Sequence, residues 1–187
     1  DDFALNYEMV ILEETTSGQT ATCLLAEEKI DDNAELFISS CDYSMSFDHA
    51  DWASIVADSS IDGAIWTTRL NGMPIKAPDA FAYCVTDNDD RILRVIEKRT
   101  ISNEPHLDPL VIGTFWFRRS ADFKVAARHL IDNDITVNGE HYIGTSINHL
   151  LETGKKFVIF DVDQWVTFGD PFELEVLQYW QEYFLTM

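Results

Sequence analysis

The chain predicts an α/β domain built on a mixed, mostly parallel β-sheet flanked by helices. Three observations carry this. Short apolar and β-branched runs alternate with stretches of helical periodicity along all 187 residues. Two strand-like runs in the middle, Ala80–Thr86 and Ile92–Ile96, are joined by Asp87-Asn-Asp-Asp90, a hairpin signal that makes the sheet mixed. Hydrophobic residues make up 46% of the chain, enough for a sizeable core, and no repeat, linker or low-complexity segment divides it.

In chain order, Tyr7–Leu12 reads as a first strand and Glu13–Gly18 as a loop. Thr20–Lys29 reads as a helix burying Ala21, Cys23 or Leu24, and Leu25 or Ala26. Gly18 stands at its N-terminus, where free backbone N–H groups favour anions or base carbonyls; the alternative is an ordinary loop glycine. In Glu35–Asp42, Leu36, Phe37 and Ile38 form the brief apolar run of a strand covered on both faces, and the stretch ends on Asp42. Ser46–Asp58 is a helix with Trp52, Ile55 and Val56 on one face, and Gly63–Thr68 is the next strand. Asn71-Gly72 with Pro74 and Pro78 marks a loop, after which the hairpin ends on Glu97-Lys98. A loop with Asn103 and Pro105 leads to the aromatic, β-branched strand Leu110–Phe117. Ser120, as N-cap, opens a helix running through Ile131. Tyr142–Leu151 is a further helix stopped by Gly154. Phe157–Phe160 is a strand, followed by Asp161-Val-Asp163. Pro171 sits near the start of a closing helix whose Leu174, Leu177, Trp180 and Phe184 recur at helical spacing. Its Trp180, Tyr183 and Phe184 are assigned to core in preference to an interface.

Charge and cysteine usage narrow the partners. A net charge of −20, with a pI near 4.3, repels nucleic acid and anionic membrane. An anionic substrate must then be met by locally placed cations or by a metal. No run of 18 apolar residues suggests a membrane span, and Asp1–Asn6 lacks the basic start of a signal peptide. Cys23, Cys41 and Cys84 are odd in number and form no Cys-x-x-Cys, so they read as reduced core residues of a cytoplasmic protein. His49, His106, His129, His141 and His149 are scattered and suggest no Ser-His-Asp or Cys-His nucleophile set; His141 and His149 read as surface or satisfied core residues.

The chemistry is sought first at Asp42. In open parallel sheets ligands bind at the carboxyl ends of strands. A carboxylate delivered there can hold Mg²⁺ against a phosphate. The local alternative is that Asp42 caps the next helix or starts a turn.

Six stretches in order resemble the sugar-1-phosphate nucleotidyltransferases, also called nucleoside-diphosphate-sugar pyrophosphorylases. Thr16-Ser-Gly-Gln-Thr-Ala-Thr22 is similar to the family's Gly loop and following helix, and Phe37-Ile-Ser-Ser-Cys-Asp42 to its strand ending in the magnesium-binding Asp. Val95-Ile-Glu-Lys98 resembles its Glu-Lys signature, and Val111-Ile-Gly-Thr-Phe-Trp-Phe117 the strand that follows. Gly139-Glu-His-Tyr142 is similar to the segment whose Glu lines the sugar pocket, and Gln164-Trp165, Gly169 and Pro171 to the closing Trp-x-x-x-Gly-x-Pro element.

The resemblance implies a Rossmann-like fold of the nucleotide-diphospho-sugar transferase type. It also implies transfer of a nucleotide from a nucleoside triphosphate to a sugar-1-phosphate, with release of pyrophosphate. Asp42 would hold Mg²⁺ and Lys98 the sugar phosphate, both in the catalytic role. Gly18, Glu97, Lys98, Gly113 and Glu140 would line the substrate. No nucleic acid or membrane partner is implied, and homo-oligomerisation is left open.

Departures accompany the resemblance. The family's Gly-x-Gly-x-Arg loop with its downstream Pro-Lys is absent from the sequence, and in the family it precedes the stretch similar to residues 7–42. Residues 1–187 are therefore expected to be a single domain, the C-terminal two-thirds of a larger catalytic one, and the isolated chain could be inactive. Thr167 stands where the second metal Asp is usual, with Asp161 or Asp163 as substitutes. Gly144-Thr145 replaces a Thr-Asp pair, and Ala82 or Tyr83 a hairpin glycine. Two other readings compete: a nucleotide-sugar glycosyltransferase of GT-A type, whose Asp-x-Asp could only be Asp161-Val-Asp163, and a non-catalytic sugar-nucleotide-binding module.

Overall fold

The computed structural model describes residues 7–70 and 77–187. Its centre is β6 (Leu110–Phe117), the longest strand, which is buried at every position but Gly113. β3 (Gly63–Thr68), buried throughout, pairs antiparallel along one edge of β6. The other edge is shared: β1 (Leu36–Ser39) takes the C-terminal half, and β4 (Ala82–Thr86) meets the beginning through Tyr83 and Leu110. β5 (Ile92–Glu97) extends β4 as a hairpin, and β7 (Phe157–Asp161) lies parallel to β3.

The sheet is mixed, as expected, with β3–β7 its one parallel pairing among the described strands and the others antiparallel. β1, β3, β4 and β7 run one way, and β5 and β6 the other. Alternation along each strand divides the core into two layers. On one face Ile65, Phe115 and Phe117 meet Phe123, Ala126, Ile147 and Leu150 from α3 (Ser120–Asp132) and α4 (Ile143–Glu152). On the other face Trp66, Ile112 and Phe160 meet Trp52 of α2 (His49–Ala57). A separate two-stranded ribbon, β2 (Tyr43–Ser46) with β8 (Gln164–Thr167), brings Tyr43, Met45 and Trp165 onto that same face. The Asp hairpin closes as its sequence suggests: Asp87 Oδ1 accepts from the N–H groups of Asp89 and Arg91. Among the described residues no helix is long and apolar enough to cross a membrane.

Several expectations are corrected. Tyr7–Leu12 forms no strand; its side chains are exposed, and it pairs with no strand among the described residues. β1 is not covered on both faces. It pairs with β6 alone, antiparallel, and Phe37 remains 46% exposed at its contact with Trp52 and Trp66. The helix expected over Thr20–Lys29 divides into α1 (Gln19–Leu24) and a 3₁₀ turn at Glu27–Lys29, because the N–H groups of Leu25 and Ala26 bond only three residues back. Arg119, not Ser120, holds the cap position of α3; the buried Ser120 hydroxyl donates to the Asp31 carbonyl instead. The polar β2 and β8 have no counterpart among the expected elements, and Ser46, expected to open a helix, ends β2, with α2 starting at His49. Cys84 is buried and Cys23 half-buried, but Cys41 is exposed. Asn71, Gly72 and Pro74 lie outside the described residues, and Pro78 opens a 3₁₀ turn.

The closing helix α5 (Pro171–Leu185) begins where expected, with the Asp170 carboxylate capping the Glu173 N–H at 2.8 Å. It has no buried residue, and Trp180 is 48% exposed, so its aromatic side chains are not core.

Candidate active site

The end of β1, the open end of the β4–β5 hairpin and the first part of β6 border a shared cleft of about 310 Å³, within the size range of small-molecule sites. Asp42, Glu97, Lys98 and Gly113, named from the sequence, all line it. Asp42 follows the end of β1. Its carboxylate accepts from the Ser40 hydroxyl, and its carbonyl accepts from Phe168 N–H at 2.9 Å, tying it to the segment after β8. Gly169 packs so closely on this carboxylate that a Cβ there would fall 2.8 Å from Oδ2. The Gly169 N–H donates to Glu173 Oε2 at 3.1 Å, so a second carboxylate flanks the same glycine. Thr167 lines this wall as well.

Glu97 is the last residue of β5. Burial raises its carboxyl to about 7, with the Lys98 charge opposing the rise. Lys98 takes left-handed backbone, at φ 53°. Its N–H donates to the Phe81 carbonyl at 2.9 Å and its amine to the Ala80 carbonyl at 2.6 Å. The amine also lies 5.2 Å from the centroid of the Tyr142 ring.

Glu140 lines an adjoining cleft of about 370 Å³, together with Gly18 and Gly113. Gln19, Ser40, Gly113 and Phe115 border both clefts, so the two form one groove. The Tyr142 hydroxyl donates to the Glu140 carboxylate, and burial followed by this contact raises the phenol above its ordinary range. Gly18 has a packing role besides its place at the groove. A Cβ would meet the His141 nitrogen at 2.6 Å, and Thr20 N–H donates to His141 O while His141 N–H donates to Ser17 O. His141 is buried there, with Nδ1 on the Ser17 hydroxyl, while its buried Nε2 has no hydrogen-bond partner among the described residues, so it is a core histidine satisfied on one nitrogen only.

Asp161 and Asp163 border neither cleft. Asp161 accepts from the Thr67 hydroxyl and pairs with Arg69. Among the described residues, no three His, Cys, Asp or Glu side chains gather as a metal site. The donors on the Asp42 wall are oxygens: Asp42, Ser40, Thr167 and Glu173. That set fits a hard cation which completes its shell with water and substrate phosphates.

Sequence reasoning missed Ser40, Tyr142 and Glu173. Ser40 and Tyr142 each lie two residues from a named acid, a spacing that could have flagged them. Glu173 reads from sequence only as an acidic first-turn residue of α5.

No protein-family model matches the chain, and no curated protein matches it in sequence. Its fold is that of solved sugar-phosphate nucleotidyltransferases. The nucleoside-diphosphate-sugar pyrophosphorylase from Vibrio cholerae RC9 superposes with a TM-score of 0.66 at 20% identity, covering 88% of this chain and 66% of that one. A Bacillus anthracis protein assigned as a glucose-1-phosphate thymidylyltransferase, solved with sucrose, gives 0.62 at 17% identity over 87% and 60%. The inositol-1-phosphate CTP transferase from T. maritima gives 0.60 at 13% over 84% and 58%. The chain thus spans 58% to 66% of the length of these structures.

Proposed function

We propose that this chain is the C-terminal two-thirds of a sugar-1-phosphate nucleotidyltransferase domain, cytoplasmic in location, and that its groove holds the sugar phosphate. The observation that carries the reading is the meeting of Asp42, Glu97 and Lys98 in one cleft of a fold shared with such enzymes. The reaction is a displacement at the α-phosphorus of a nucleoside triphosphate by the sugar phosphate. It asks the protein mainly to align two anions and to spread charge.

Lys98 supplies a point charge for the sugar phosphate, held in place by the Ala80 carbonyl and the Tyr142 ring. Two unit charges ~4 Å apart are worth ~4 kcal/mol at an effective dielectric of ~20, so one lysine matters even on an acidic protein. Glu97 and Glu140 accept from sugar hydroxyls, and Gly113 keeps the floor of the groove low. Asp42, with Ser40, Thr167 and Glu173 beside it, would hold Mg²⁺. That ion would supply neutralisation of the triphosphate's charge.

The test is pyrophosphate release by the encoded protein with a panel of sugar-1-phosphates and nucleoside triphosphates. Asp42→Asn is expected to lower turnover by on the order of 100-fold or more. Turnover unaffected by the substitution removes Asp42 from the mechanism. One observation keeps a second reading in view: Thr167, not an acid, stands on the metal wall. Calorimetric binding of an NDP-sugar without turnover selects that non-catalytic module. Hydrolysis of a UDP-sugar without pyrophosphate chemistry selects a glycosyltransferase.

A further inference from the structure

At Val95, the outward N–H and C=O of β5 meet a side chain instead of a neighbouring strand. The Asn148 amide of α4 takes both: Val95 N–H donates to Asn148 Oδ1 at 2.8 Å, and Asn148 Nδ2 donates to Val95 O at 2.9 Å. An amide is suited to this because it offers one acceptor and one donor side by side. One turn earlier on the same helix face, Gly144 lies flush against the strand. A Cβ there would fall 2.4 Å from Glu97 Oε1 and 2.7 Å from Val95 Cγ1. Just before the helix, the ring of Tyr142 faces the Lys98 amine. Going back along α4 from 148 to 144 to 142 therefore means going forward along the hairpin from 95 to 97 to 98.

We propose that α4 is the positioning element for the Glu97–Lys98 pair, with Asn148 as its positioning residue and Gly144 setting how closely the Glu97 carboxylate lies against the helix. Asn148 touches neither cleft and acts only through the strand. The consequence for sugar-phosphate binding rests on the function proposed above; the positioning itself does not.

The experiment separates the two. In the full chain labelled with ¹³C at glutamate carboxyls, the titration of Glu97 is followed by NMR in the wild type, Asn148→Ala and Gly144→Ala, with Glu97→Gln to assign the signal. The titratable groups facing Glu97 are Lys98 beside it, Cys84 on β4 and Tyr142 before α4. Both substitutions are expected to shift the Glu97 midpoint towards the ordinary carboxylate range, Asn148→Ala by loosening the strand end and Gly144→Ala by pushing the carboxylate outward. Calorimetry with glucose 1-phosphate and Mg²⁺ is expected to show on the order of tenfold weaker binding for Asn148→Ala. An unchanged midpoint in both folded variants overturns the proposal. So does failure of both to fold, which makes the contacts structural only. Shifted midpoints in a wild-type background that binds no glucose 1-phosphate uphold the positioning and count against the substrate.

Discussion

Helices α4 and α5 both carry apolar side chains at helical spacing, yet α4 buries five of its ten residues and α5 none of its fifteen. The difference lies in how the apolar positions are distributed. α4 has a single stripe, Ile143, Ile147 and Leu150, and that stripe faces the sheet and α3. α5 has two, Phe172-Val176-Tyr179-Tyr183 and Leu174-Leu177-Trp180-Phe184, which leave little polar face. Its rings pack on one another, with Trp180 stacked on Phe184. A helix apolar all round is ordinarily covered on more than one side. Periodicity therefore indicates which faces call for cover, and the rest of the fold decides whether they receive it.

The largest expected effect tests that contrast directly. Ile147→Ala should cost ~2–5 kcal/mol of stability by opening a cavity under α4. Trp180→Ala should stay within ~0.5 kcal/mol, as for an exposed position. Urea unfolding of the two variants gives the comparison, and a cost near 2 kcal/mol at Trp180 would mean that α5 is packed in solution.

Next in size is the pH dependence conferred by the strand end that α4 holds. Glu97 has a folded pKa raised to about 7, so the folded state binds its proton more tightly than the unfolded one. Its contribution to stability is complete below the ordinary carboxylate pKa and is lost as pH rises towards 7. The amount lost is on the order of 3 kcal/mol. Glu97→Gln should therefore flatten the difference between urea midpoints at pH 4.5 and pH 8 relative to wild type. An unchanged difference means that the carboxyl titrates normally.

The smallest effect concerns α5 alone. Asp170→Ala removes a cap worth ~1 kcal/mol. Because α5 contributes nothing to the core, the far-ultraviolet helical signal should fall while the cooperative unfolding midpoint stays put.

Much of the fold could be read from the residues because patterning and tertiary context agree. β3 and β6 are short β-branched and aromatic runs, and both keep the expected bounds once buried. α3 starts at the expected residue, although its cap is a different one. β2 and β8 were not legible, since Tyr43-Ser-Met-Ser46 and Gln164-Trp-Val-Thr167 have little apolar continuity and pair only with each other. Met9–Leu12 shows the reverse error: an apolar run forms a strand only where an edge receives it. In the site, Glu97-Lys98 was visible as a motif following a hairpin. Glu173 and Asn148 were not, because their roles depend on approaches between segments that no local pattern encodes, and Tyr142 shows locally only its spacing from Glu140.

The left-handed backbone of Lys98 has its own consequence. A lysine held at φ 53° is in a conformation that glycine adopts at less cost, a difference of ~1 kcal/mol. Lys98→Gly should therefore be more heat-resistant than Lys98→Ala, since both lose the amine and its bond to the Ala80 carbonyl while only glycine relieves the backbone. A melting temperature higher for the glycine than for the alanine variant, with phosphate binding lost in both, would identify a position whose backbone suits glycine and whose side chain is retained for what it holds.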